Sequence, residues 1–152
     1  MLYRVARRLT PNAAEAEDLV GQALAKAAGA WSGFSGEYPR SWLIRILTNC
    51  HFAVLRSRKT KPVSAVLEPD LVADEPWSAI DWGLVGPNLM KEVDRLPPEY
   101  RLAVVLCDVE EMPYEEAALA MEVSVGTAKS RVFRGRRLLR ARLAGFYSES
   151  NR

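Results

Sequence analysis

The stretch VGTAKSRVFRGRRLLRARL, residues 125–143, gathers Lys129, Arg131, Arg134, Arg136, Arg137, Arg140 and Arg142 with no acid among them, and sets Phe133 in their midst. On an α-helix each residue advances about 100°. Ala128, Val132, Gly135, Leu139 and Leu143 then fall within about −20° to 60° of Ala128, a continuous small-and-apolar stripe. Lys129, Phe133, Arg140, Arg137, Ser130 and Arg134 fall between about 100° and 240°. One face packs while the other presents cations around a ring. Solvated helices usually mix acids with their bases, so the run reads as a surface for a polyanion.

Upstream, YEEAALAM (114–121) is a short helix, EVS (122–124) a tight turn, and Ser124 an N-cap for the long helix. Short helix, turn and long helix form a helix-turn-helix, whose second helix lays its first turns in the major groove. Arg and Lys there reach guanine O6 and N7, and an apolar group reaches a thymine methyl. Phe133 has that reason to face outward; the alternative is packing on a neighbouring domain. The later arginines suit phosphates.

The net charge of +2 over 152 residues hides a segregation. Residues 1–61 carry ten Lys/Arg against four Asp/Glu, residues 62–99 two against eight, and residues 100–152 nine against seven. Basic–acidic–basic is the pattern of two polyanion-facing modules joined by a segment of opposite sign.

The first module is also helical. Thr10-Pro11-Asn12 starts a helix, with Pro11 preset for its first turn and Glu15, Glu17 and Asp18 following. Leu19, Val20, Ala23, Leu24 and Ala27 recur at helical spacing. WSGFSGEYP (31–39) is a loop, and Ser41 is expected to cap a helix running to about Arg56. On that helix Trp42, Arg45, Asn49, Ala53 and Arg56 share one side, and Leu43, Leu47, Cys50 and Val54 another. Trp, Arg, Asn and Arg in an exposed row suit single-stranded DNA, where rings stack on bases and Arg holds phosphates. Trp42 is alternatively a core residue. From Lys61 to Pro87 prolines and acids dominate, and Trp77 and Trp82 suggest a linker that docks somewhere. Beyond it, EYRLAVVLCDVEE is a helix with Leu102, Val105, Leu106 and Val109 on one side.

Several classes are excluded. No apolar run approaches the length of a membrane span, and the Arg-broken start does not read as a signal peptide. Cys50 and Cys107 form no metal-spaced pair, and His51 is the single histidine. Cys50 and His51 are adjacent, so on a helix they diverge by about 100° and cannot act as nucleophile and base. No glycine-rich phosphate loop occurs. The expectation is a soluble intracellular protein, no enzyme, with no cofactor, no metal and no small-molecule substrate.

Three segments carry a resemblance: RRLT…AEAEDLV, PRSWLIRILTN, and LPPEYRLAVVLCDVEEMPYEEAALAMEVSVGTAKSRVFRGRRLL. With them the chain resembles a bacterial extracytoplasmic-function (ECF, group 4, sigma-70 family) RNA polymerase sigma factor. The resemblance implies an all-α fold of two small helical domains, sigma-2-like over 1–61 and a sigma-4-like helix-turn-helix over 88–147. A flexible acidic linker over 62–87 would run through the polymerase cleft, imitating RNA charge. By position it implies −35 contacts from Lys129, Ser130, Arg131, Phe133, Arg134 and Arg137. It implies −10 contacts from Trp42, Arg45, Asn49 and Arg56, with Asn49 on an extruded base. Glu17, Asp18, Leu19 and Gln22 would dock on the β′ clamp helices of core RNA polymerase, and the β flap is a further partner. Promoter DNA is implied as a partner, an anti-sigma factor is a frequent one in the family, and the location is cytoplasmic. Members usually carry more residues before the first helix, so the chain is expected to begin in or just before region 2.1. Gly21-Gln22 stands where the family usually has Gln-Glu, and Ala53 where it has Asp. A stand-alone helix-turn-helix regulator is the alternative; it leaves the Trp42 face and the acidic segment without a role.

Overall fold

The computed structural model describes residues 1–58 and 82–150, all helices and turns with no strand among the described residues. Helix α1 (Leu2–Leu9) buries Val5, Ala6 and Leu9 and turns its arginines outward. Asn12, not Pro11, starts α2 (Ala13–Gly29): the Asn12 side chain accepts from the Glu15 amide at 2.9 Å, an N-cap that leaves Pro11 outside the helix. The buried stripe of α2 is Ala16, Leu19, Ala23 and Ala27. Three alanines on one face let α3 (Pro39–Ser57) approach closely, and Leu24 turns outward at 50% exposure.

Ser41 is not the cap of α3. The helix opens at Pro39 after Tyr38 in the left-handed region (φ 50°), because proline's fixed φ suits the first turn. Ser41 lies one turn in, buried, and its hydroxyl donates to the Glu116 carbonyl oxygen at 2.9 Å. The core side of α3 is Ile44, Leu47, Thr48, Cys50 and His51, while Leu43 and Val54 are only half-buried.

The second module comprises α4 (Trp82–Asp94), α5 (Pro98–Val104), α6 (Tyr114–Met121) and α7 (Val125–Ser150). Helix α4 takes up the last six residues of the expected linker, and Pro87 does not stop it. The remainder of the expected linker, with Trp77, lies outside the described residues. After α5 the chain makes a π turn over Val105–Val109. Its wider i→i+5 hydrogen bonding shifts the helical phase. Leu102, Val105 and Leu106 are therefore buried as the periodicity predicts, but Val109 is 43% exposed. The same turn, closed by Glu111 at φ 54°, carries Asp108 and Glu110, both used in ion pairs.

Helices α4, α5 and α6 pack around α7, and the apolar stripe of α7 is the centre of that module: Ala128, Val132, Leu139 and Leu143 are all at most 1% exposed. The two modules also pack on each other, α3 against α6 and α1 against α5 and the π turn. Arg4 grips the well-covered Glu110 carboxylate with two hydrogen bonds of 2.9 and 2.8 Å. That bond, aided by the Arg4 charge, holds the Glu110 carboxyl below the usual carboxylate range. Arg40 donates to the Glu110 carbonyl oxygen at 3.1 Å, so one residue of the second module is held by two arginines of the first.

Candidate nucleic-acid and polymerase interfaces

The helix-turn-helix is built as its sequence reads. Ala117, Ala118 and Ala120 are buried, so α6 sits close to its neighbours. Helix α6 ends at Glu122 in the left-handed region (φ 56°), and the Ser124 hydroxyl oxygen accepts from the Thr127 amide at 3.1 Å to cap α7. Lys129 stands exposed near the start of α7, its ammonium 5.7 Å from the centre of the Tyr114 ring. Arg137 is exposed too, and Arg131, Phe133 and Arg134 are half-buried. Ser130 is a correction: only 8% exposed, it lies in the packed side of the helix in this arrangement. The periodicity put it among the cations because a helical wheel knows nothing of what the neighbouring helices cover.

Two arginines of the run do different work. Arg136 makes two hydrogen bonds to the Asp108 carboxylate, at 2.7 and 3.2 Å, and Arg142 lies 3.9 Å from Glu92. Arg136 thereby ties α7 to the π turn and sets its orientation. The sequence offered no local signal for this, since the partners are 28 positions apart. Gly135 has a packing reason of its own: a Cβ there would meet Val104 Cγ2 at 2.5 Å and the Tyr100 carbonyl oxygen at 3.4 Å.

In the first module Trp42 is half-buried, between the core and open-face readings. It belongs to an aromatic cluster with Phe34, ring centres 4.7 Å apart, and Trp31, edge-on at 6.1 Å. Trp31 and Phe34, from the loop before α3, were missed as site candidates; their i, i+3 spacing was the available signal. Trp31 is 64% exposed, so the cluster offers a wide aromatic surface. Asn49 and Arg56 are exposed further along α3. Arg45 instead reaches the second module, its Nε 3.7 Å from a Glu122 carboxylate oxygen. The first half of this row on α3 thus abuts the helix-turn-helix turn, while its second half is exposed.

On α2, Glu17, Asp18 and Gln22 are exposed together, and Leu19 is buried at 5%, in the core. Asp18 and Gln22 rim a cavity of about 180 Å³ that reaches His51. His51 is buried, and burial, with the Arg101 and Arg58 cations, pushes its pKa down to about 4. Cys50 is buried, and burial beside Asp108 pushes the Cys107 thiol up to about 12. Neither thiol is a ready nucleophile. Among the described residues no group of three metal-ligating side chains occurs, and no helix is long and apolar enough to cross a membrane.

Residues 1–60 match the family model of sigma-70 region 2, and residues 88–139 that of sigma-70 region 4. RNA polymerase sigma-E factor of Streptomyces avermitilis is 35% identical, over 93% of this chain and 78% of its own length. The chain belongs to the ECF RNA polymerase sigma factors. ECF sigma factor SigE of Mycolicibacterium smegmatis is 37% identical over 98% of this chain, which spans 60% of that relative's length. SigW of Bacillus subtilis, another ECF sigma factor, is 30% identical over 93% of this chain and 82% of its own length. Among solved structures, the sigma factor RpoE of Bartonella quintana, in complex with the anti-sigma factor NepR, superposes with a TM-score of 0.69. It is 28% identical and covers 94% of this sigma factor and 89% of its own chain. CnrH, in complex with the cytosolic domain of CnrY, shares the fold with a TM-score of 0.66 at 23% identity.

Proposed function

We propose that this sigma factor binds core RNA polymerase and directs promoter-specific initiation, with no chemistry of its own. The observation that carries the reading is the pairing of two DNA-facing modules in one chain: a capped helix-turn-helix with a cationic outer face, and a helix bearing Trp42, Asn49 and Arg56. Lys129, Arg131, Phe133, Arg134 and Arg137 read the −35 duplex and its phosphates. Trp42, with Trp31 and Phe34, stacks on bases of the opened −10 strand, where Asn49 contacts a base and Arg56 a phosphate. Glu17, Asp18 and Gln22 meet the polymerase clamp. The work is done in the cytoplasm, where polymerase and chromosome are.

By their names the two promoter elements lie roughly 25 base pairs apart, about 85 Å of duplex at ~3.4 Å per pair. Modules joined by Arg4–Glu110 and Ser41–Glu116 cannot reach both at once. Promoter reading therefore requires the modules to separate, and an anti-sigma partner, such as accompanies RpoE, would act by opposing that separation.

Run-off transcription of fragmented genomic DNA by core polymerase, with and without the protein, tests the reading. New transcripts sharing a pair of upstream elements are expected. Specific duplex binding with no new transcript would favour the stand-alone regulator.

A further inference from the structure

Between the modules lies a polar cleft of about 370 Å³, walled by Arg7, Arg8, Leu9, Thr10 and Pro11 of the first module and by Asp94 and Arg101 of the second. Its volume falls within the range of ligand pockets, roughly 300–1,000 Å³. Three arginines and one carboxylate line it. Asp94 is engaged loosely by Arg8, at 3.3 and 3.5 Å. Arg101 donates to the Leu96 carbonyl oxygen at 2.9 Å and to that of Arg8 at 3.4 Å, but its Nε is out of solvent and has no hydrogen-bond partner.

Buried guanidinium groups are normally paired, because an uncompensated charge loses its hydration without return. Here the loss is under-compensated: burial lowers the Arg101 pKa against the opposing pull of Asp94. Lys129 and Arg137 of α7 face outward and suit a long polyanion. These three side chains line one cleft, where fork-shaped donors match phosphate oxygens.

We propose that this cleft binds a small polyphosphate anion, free or at the end of a nucleotide, which bridges Arg7 and Arg8 of one module to Arg101 of the other and holds the modules together. Nucleic acid is the poorer occupant. Its phosphates need an open groove, and the reading of promoter DNA pulls these walls apart. A ligand that binds only the closed form shifts the population toward it in proportion to its occupancy.

Calorimetric titration of the full chain with pyrophosphate, at ionic strength held constant with sodium chloride, tests the proposal. One saturable site is expected. Arg7→Gln should weaken it at least fivefold; Arg7 is exposed, so the protein is expected to fold, whereas Arg101→Gln also removes the bond to Leu96. Lys26→Gln, on the exposed side of α2, should leave the affinity unchanged. Arg4→Ala, which touches no wall of the cleft but removes the clasp on Glu110, should weaken binding severalfold because the closed form becomes rarer. ADP in place of pyrophosphate distinguishes the source: tighter binding assigns a nucleotide, equal binding the phosphates alone. Absence of saturable binding, indifference to Arg7→Gln, or loss on Arg137→Gln in its place would overturn the site. Unchanged affinity in Arg4→Ala would overturn its construction from two modules.

Discussion

One substitution, Gly→Ala, should act with opposite sign at two helical positions of this protein. At Gly21 an added Cβ meets nothing within 4 Å. Replacement there recovers the helix-propensity difference, about 0.8–1 kcal/mol of stabilisation. At Gly135 the Cβ would lie 2.5 Å from Val104 Cγ2. Ordinary carbon contacts are about 3.5–4.0 Å, so α5 and α7 must part by on the order of 1 Å, or Val104 must leave its rotamer. Overpacking of this kind costs about 1–3 kcal/mol. After the propensity gain, a net loss of up to roughly 2 kcal/mol remains. Urea unfolding followed by circular dichroism reads both changes. A double-mutant cycle with Val104→Ala supplies the internal check. Val104→Ala alone removes two buried methyls, about 1.6 kcal/mol. It also makes room for the new Cβ, so the double variant should be more stable than the sum of the singles by about 1 kcal/mol or more. Additive behaviour, or a Gly135→Ala protein stabilised as much as Gly21→Ala, would refute the claim that glycine lets α7 dock on α5.

Further outcomes are expected at the proposed interfaces and in the core. Arg134→Ala should weaken −35 duplex binding by about 1–3 kcal/mol with loss of base preference at one position; an equal loss on scrambled duplex, in a titration at fixed salt, would reassign Arg134 to phosphate. Asn49→Ala should leave closed-complex formation intact and slow opening, read by permanganate footprinting, and equal loss in both steps would remove Asn49 from strand opening. His51 has a folded pKa of about 4 against an ordinary 6.5. The unfolded chain therefore binds the proton first, and stability, fully present above about pH 6.5, should fall on acidification toward pH 4 by on the order of 2–3 kcal/mol. His51→Gln should flatten the unfolding midpoint across that window; an unaltered profile would mean that His51 is not held neutral.

The legible parts of this molecule were those that depend on near neighbours in the chain. The Ser124 cap, the α6–turn–α7 unit and the stripe Ala128, Val132, Leu139 and Leu143 all follow from spacing of three or four residues, and all appear in the structure. The misses share a cause. Ser41 resembles a cap until the carbonyl of Glu116 is brought beside it. Val109 fits the apolar face until the π turn shifts the phase. Ser130 falls on the presumed outer face until neighbouring helices cover it.

Sequence alone determined that the chain is helical, that a basic helix follows a tight capped turn, and which family the segments belong to. Helical period and cap chemistry are local, and the chain carries them wherever it goes. Only the tertiary structure decided which cations remain available for phosphate. Arg136 is drawn to Asp108 and Arg4 to Glu110, while Arg7, Arg8 and Arg101 line one cleft with Asp94. Whether an arginine has a carboxylate partner depends on residues tens of positions away, and folding alone sets those distances.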